Sequence, residues 1–173
     1  MLDICTLEEH DVAAFQSLRL RGLQETPDAF GATYDEFMHE APSTIIERTR
    51  SKTSFPQSFV LGAFDAEGQL VGIVGCYRES RKKSRHKAMV WGMYVAPEVR
   101  GQGIGKQLMQ ALLTHCTTIV GLEQIHLGVV TTNVAARHLY ETLGFRTYGI
   151  EPHALKDGER YIDEEFMLLS LPK

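Results

Sequence analysis

The chain has 173 residues, 43% of them apolar and 23% charged, with a net charge of −4 and a pI near 6.0. That length suits a single domain, 1–173, with a sizeable core, and the acidic balance argues against general affinity for nucleic acid. No run approaches the ~18 apolar residues of a membrane span, the N-terminus lacks the basic and apolar regions of a signal peptide, and the odd, widely spaced Cys5, Cys76 and Cys116 fit reduced thiols in a cytoplasmic protein.

Leu2 to Cys5 reads as an opening strand. Thr6-x-x-Glu9 matches a capping box, so a helix is expected from there, with Val12, Phe15, Leu18 and Leu23 on one face. Glu25 to Gly31, with Pro27 inside it, breaks that helix. A second helix is predicted from about Tyr34, interrupted at Pro42, resuming at Ser43 and Thr44 and ending near Ser51-Lys52, with a loop from Ser51 to Ser58. Phe59 to Asp65 and Gln69 to Tyr77 read as strands joined by the Glu67-Gly68 turn. Arg81 to Lys87 is a basic hairpin tip, and Ala88 to Val95 is a third strand.

Ala96-Pro97 stops that strand, since proline gives no N–H to a ladder. Gly101, Gly103 and Gly105 follow, and an amphipathic helix begins at Ile104. Ile104, Leu108, Ala111, Leu112 and Ile119 turn inward before Gly121 ends it. A glycine loop opening onto a helix start presents unpaired N–H groups and a positive dipole end, which together favour an anion, most often phosphate. A P-loop is excluded because Gln107 follows Lys106. A dinucleotide fingerprint is excluded because the glycines run G-x-G-x-G and the next strand, Gln124 to Val130, ends in Thr131-Thr132 rather than an acid. A helix from Val134 to Leu143 then stops at Gly144. Phe145 to Glu151 and Glu164 to Leu169 form a last antiparallel pair about the Lys156-Asp157-Gly158 turn.

Arg100-x-x-Gly103-x-Gly105, after a strand ending Tyr94-Val95-Ala96-Pro97, resembles the acetyl-CoA loop of the GCN5-related N-acetyltransferases (GNAT). Asn133-x-Ala135-Ala136-x-x-Leu139-Tyr140-x-x-x-Gly144-Phe145 resembles the second signature of the same family, at its usual separation. The resemblance covers roughly Ile4 to Leu169 and is strongest from Val90 to Phe145. It implies an α/β (α+β mixed) fold with a central, mostly antiparallel sheet of about seven strands. Helices cover both faces, and a parallel strand pair splays apart to admit acetyl-CoA as co-substrate.

The same resemblance implies a site. Met93, Tyr94 and Val95 would pair with the cofactor arm, one of the Met93 or Tyr94 amides facing the acetyl oxygen. Arg100, Gly101, Gln102, Gly103, Ile104, Gly105 and Lys106 would hold the pyrophosphate. Asn133, an N-cap by type, Ala135 and Ala136 would line the arm. Tyr140, counted with the cofactor contacts, would be the general acid to the leaving thiolate. Thr26 to Phe37 and Pro152 to Asp163 would wall the acceptor, with Phe30, Tyr34 and Tyr161 as liners. Many family members place a glutamate on the strand before the loop as base, and Val90 to Val95 carries no acid. By residue type the candidates are Glu25, Asp28, Tyr34, Glu36, His86, Glu164 and Glu165.

The expected activity is acetyl transfer to a primary amine of a small molecule or a protein, without a metal, with neither nucleic acid nor membrane as partner; a homodimer is compatible. A non-catalytic acyl-CoA-binding module of the same fold and an unrelated nucleotide-binding domain are the competing readings. His126 reads as a sheet histidine.

Overall fold

The computed structural model describes residues 2–41, 43–45, 47 and 57–172. Seven strands, β1 (Asp3–Thr6), β2 (Ser58–Phe64), β3 (Leu70–Arg78), β4 (Lys87–Val95), β5 (Gln124–Val130), β6 (Arg146–Asp157) and β7 (Arg160–Ser170), form one sheet in the order β1-β2-β3-β4-β5-β7-β6. Every neighbouring pair is antiparallel except β4 and β5. Those two are joined by a helical crossover, which returns the chain in the same direction. The helices are α1 (Val12–Glu25), α2 (Tyr34–Met38), α3 (Ile104–Thr117) and α4 (Val134–Thr142). Residues 43–45 and 47 are helical too. Pro42, the end expected near 51–52 and nearly all of the loop expected after it lie outside the described residues. Among the described residues no helix is long and apolar enough to cross a membrane.

The first helix does not start at a Thr6 cap. Thr6 stays in β1, paired with Leu61, and the capping box falls two residues later. There Glu8 and Asp11 bracket a 3-10 turn, Glu9–Asp11, and the Glu8 amide donates to the Asp11 carboxylate at 2.8 Å. Strand pairing satisfies the Thr6 backbone, and an acid pair does the capping as well as Thr-Glu would. The last hairpin is also longer than its expected strands. β6 and β7 continue to Asp157 and Arg160, and the register shifts between Glu151 and Leu155, where Pro152 has no N–H to give and His153 takes a φ of 57°.

Two cores sit on opposite faces of the sheet. Strand residues such as Phe59, Leu61 and Leu127 pack with Leu108, Met109 and Leu112 of α3 and with Tyr140 of α4. On the other face Val60, Ile73 and Tyr94 pack with Phe15, Leu18 and Leu23 of α1 and Phe37 of α2. Each such apolar side chain is worth roughly 1.5–3 kcal/mol on burial. In the first core the Sγ atoms of Cys76 and Cys116 lie 3.9 Å apart, both as free thiols.

The turning point is in β4. Ile73 pairs with Tyr94 but Gly75 pairs with Trp91, so Gly92 and Met93 together oppose Val74 in a β-bulge. Gly92 has a φ of 65°. The extra residue inverts the alternation: Trp91 and Tyr94 both face α1, while Met93 faces α3. The Trp91 indole lies so close over β3 that a Cβ on Gly75 would fall 2.2 Å from its ring. Gly75→Ala is therefore expected to destabilise the fold by about 2 kcal/mol, read as a lower urea midpoint; an unchanged midpoint would show that the Trp91 ring is free to move.

Candidate active site

β4 and β5 are hydrogen-bonded neighbours at only three pairs, Lys87↔Gln124, Ala88↔Ile125 and Met89↔His126. Beyond Met89 the two strands part. β3 and β7 continue to pair with their outer edges, so the edges facing each other across the gap present unladdered N–H and C=O groups in mid-sheet. The glycine loop closes the end of this gap. A 3-10 turn, Pro97–Val99, leads out of β4, and Gly101 and Gly103 take φ values of 79° and 78°. A Cβ at Gly101 would meet nothing within 4 Å and one at Gly103 only the Gln107 side-chain amide nitrogen at 4.0 Å, so glycine is required there by backbone conformation rather than by room. Gly105 is the reverse case: it has no positive φ, but a Cβ would lie 2.9 Å from the Met93 methyl. The first bond of α3 runs from the Gln107 amide to the Gly103 carbonyl, which leaves the Ile104, Gly105 and Lys106 amides without intrahelical acceptors.

The gap and the loop form one cleft of about 600 Å³. Met93, Tyr94 and Val95 of β4 line it, as do Arg100, Gly101 and Gly103 of the loop and Ile104, Gly105 and Lys106 of α3. Asn133, Ala135 and Ala136 complete the wall at the start of α4. Gln102 is not among the lining residues. Asn133 caps α4, its Oδ1 accepting from the Ala136 amide at 3.2 Å, and borders the cleft as well. Arg100 turns back on its own strand: Nε donates to the Val95 carbonyl at 2.9 Å and the guanidinium lies 5.5 Å from the Tyr94 ring centroid.

Tyr140 follows Ala136 by one turn on the same face of α4, beneath the cleft rather than in its wall. It is 6% exposed, edge-on to Phe145, and burial pushes its phenol up to about 12. Thr26, Ala29, Val99 and Leu139 also line the cleft. Val99 carries no chemical signature in sequence and only packing brings it there, whereas Thr26 and Ala29 fall in the segment expected to wall the acceptor and Leu139 in the second signature.

Of the expected acceptor liners, Phe30 borders both the cleft and a second cavity of about 430 Å³. That cavity lies between the segment from Leu23 to Asp35 and the last hairpin; Tyr34, Leu155 and Ile162 line it. Tyr161 does not. It is half exposed on the hairpin, stacked on His153 with centroids 4.4 Å apart. Arg160 binds Asp28 at 2.5 Å and so ties the hairpin to the segment after α1.

Most of the carboxylates considered as base are engaged elsewhere. Glu25 accepts from the Tyr94 hydroxyl at 2.5 Å and from Arg21 at 2.8 Å, and these two bonds hold it below the usual carboxylate range. Glu36 completes the Thr33 cap of α2. Glu165 is buried on the α4 face, bonded to Thr147 and 3.3 Å from Arg137. His86 lies at the far end of β4, where its carbonyl accepts from Glu123 and Gln124.

Arg21 forks onto Glu98 with bonds of 2.7 and 2.8 Å, which fastens α1 to the turn before the glycine loop. Glu98 is thereby held at about 2. A depressed carboxylate adds stability above its unfolded value, ~4.3, and that contribution disappears as pH falls towards 2. Arg21→Ala should return the Glu98 titration, followed by carboxyl 13C NMR, to about 4.3; a titration still near 2 would show that the loop backbone, not Arg21, sets it.

A family profile described as "Acetyltransferase (GNAT) family" matches residues 21–145. An L-methionine sulfoximine/L-methionine sulfone acetyltransferase of Pseudomonas aeruginosa is 30% identical over 168 residues, covering 90% of this chain and 94% of the relative. Among solved structures, a GCN5-related N-acetyltransferase from Kribbella flavida aligns with a TM-score of 0.79 at 26% identity, covering 98% of both chains. A phosphinothricin acetyltransferase from Sinorhizobium meliloti, solved in complex with acetyl-CoA, aligns with a TM-score of 0.81 at 22% identity, covering 98% of this chain and 88% of that one.

Proposed function

The chain belongs to the GNAT acetyltransferase family, and from that premise we propose that it transfers the acetyl group of acetyl-CoA to a primary amine by direct attack on the thioester. The observation that carries this is the single cleft in which the unladdered β4 edge, the free amides at the start of α3 and the Asn133–Ala136 wall come together. Each suits a different part of the coenzyme. The Ile104, Gly105 and Lys106 amides and the α3 dipole favour a diphosphate. The open edge from Val90 to Val95 accepts an amide-bearing arm as an added strand. A strand amide of Met93 or Tyr94, fixed at the bulge, stabilises the oxyanion, a contribution commonly of ~3 kcal/mol.

Tyr140 is the proton donor to the leaving sulfur. With its phenol at about 12 it keeps its proton throughout the physiological range. The desolvation that raises the phenol also raises a thiol in the same place, so donor and acceptor stay matched. The acceptor is a small molecule bearing a primary amine, in line with the amino-acid substrates named for the Pseudomonas relative. It reaches the thioester from the cavity between Leu23–Asp35 and the hairpin, where Phe30 joins that cavity to the cleft.

Gly103→Val is expected to abolish acetyl-CoA binding in calorimetry, because a β-branched residue cannot hold a φ of 78°; undiminished affinity would remove the loop as the phosphate site. Tyr140→Phe is expected to lower kcat roughly 10²-fold or more at nearly constant coenzyme affinity, measured by thiol release over a panel of amines; full activity would remove Tyr140 as the acid.

A further inference from the structure

Glu164 differs from the other carboxylates near the gap. Its Cα pairs with Val130 at the end of β5, and its side chain lies across Gly128, where a Cβ would sit 2.3 Å from Oε1. His126, Gly128 and Val130 alternate onto one face of β5. That face is the α1 face, because His126 pairs with Met89 and Trp91, two residues on, meets Phe15 of α1. Gly128 lies two residues past the last β4–β5 pair, on the rim of the gap, and is exposed. Along β7, Ile162 shares the face of Glu164 and lines the cavity assigned to the acceptor. The carboxylate therefore stands between that cavity and the gap, on the face opposite the glycine-loop helix.

It is also unneutralised. Glu164 is half-buried and has no hydrogen bond or ion pair among the described residues. The charged and titratable groups about it are few. Glu151 of β6 pairs directly across from it, His126 of β5 and the Tyr148 hydroxyl beside it lie on its face, and Arg19 of α1 lies by Gly92 across the gap. Asp163 points to the other face and accepts from the His153 amide, and Asp28 is taken by Arg160. Burial first, then the like charge of Glu151, raises the Glu164 carboxyl above its ordinary range. A half-buried anion without a counter-ion is costly unless a ligand supplies the partner.

We propose that Glu164, seated on the side-chain-free surface of Gly128, binds the acceptor ammonium and is the general base that deprotonates it. This rests on the transferase reading of the cleft. The ammonium gives one proton to Glu164, and the neutral amine bonds to the acyl carbon. The carbon–sulfur bond breaks with its electron pair going to sulfur. The nitrogen's second proton balances the one taken by the thiolate, and the proton on Glu164 passes to water. A base with a raised pKa holds the abstracted proton better at neutral pH.

The test is E164Q and G128A in a thiol-release assay from pH 6 to 10, with the amine that wild type turns over fastest. For E164Q we expect a loss in kcat/KM of roughly 10²-fold at pH 7, shrinking as the pH approaches the amine's own value near ~10, where no base is needed. Acetyl-CoA affinity should not change. The melting temperature should hold or rise, because a carboxyl with a raised folded pKa weakens the fold once ionised and the amide removes that penalty. G128A should repeat the kinetic defect, since its methyl displaces the end of a flexible side chain. Wild-type rates in E164Q at every pH would overturn the assignment, as would a pH-independent loss with a lower melting temperature. A wild-type protein that binds acetyl-CoA but acetylates no amine would sink the transferase reading and the assignment with it.

Discussion

A β-ladder that stops three pairs into a seven-stranded sheet is the constraint on which the rest of the molecule depends. Backbone N–H and C=O groups left open inside a protein must be satisfied by something. Here the described chain supplies only the Arg100 Nε bond to the Val95 carbonyl along the β4 edge. The opening is held from both strands at the same end: Gly101 and Gly103 turn the chain steeply from β4 into α3, and the Asn133 cap turns β5 into α4. The two helices then pack on one face, with Met93 against Gly105 and near Leu139, so the strands cannot close over the gap.

The bulge at Gly92 and Met93 divides the work between the two faces of the sheet. One added residue in β4 sends Trp91 and Tyr94 to α1 and Met93 to α3. Small residues take up the crowding that follows: Gly75 lies under the Trp91 ring and Gly22 of α1 under the Tyr94 ring, where a Cβ would come within 2.9 Å. On the function proposed above, coenzyme and acceptor approach the same point from different sides. The cleft beside α3, which we propose for the coenzyme, is lined by the β4 edge, the glycine loop and the small Ala135 and Ala136. The cavity we propose for the acceptor mixes aromatic Phe30 and Tyr34, aliphatic Leu155 and Ile162, and the acids Asp28 and Asp35.

Electrostatics fastens these parts more than it drives the chemistry. Arg21 bridges Glu25 and Glu98, and Glu25 takes the Tyr94 hydroxyl, so α1, β4 and the turn before the glycine loop are joined by one exposed network. Exposed ion pairs of this kind add little stability one by one. Their effect is to fix where the loop stands relative to the bulge. Because Glu25 is held there as an unprotonated, doubly bonded carboxylate, it is poorly placed to carry a proton away. Glu164, with no such partners among the described residues, is the carboxylate we propose for that role.

The glycine loop and the two helix starts that border the cleft were legible in the residues alone. Glycines at 101, 103 and 105 beside a proline-stopped strand report a backbone conformation, and conformation is a local property. The Asn133 cap and the apolar period of α3 are local for the same reason. The two segments about the second cavity were legible as stretches of chain, but not which of their side chains turn inward. Val99 is an ordinary residue until folding sets it in the cleft, Tyr161 turns outward where an inward liner was expected, and the first helix takes its cap from Glu8 because Thr6 is claimed by strand pairing. The sorting of seven candidate bases needed strand register and partner contacts. Whether a carboxylate is neutralised depends on residues far away in the chain, as Asp28 on Arg160 shows, and such pairings exist only once the sheet has formed.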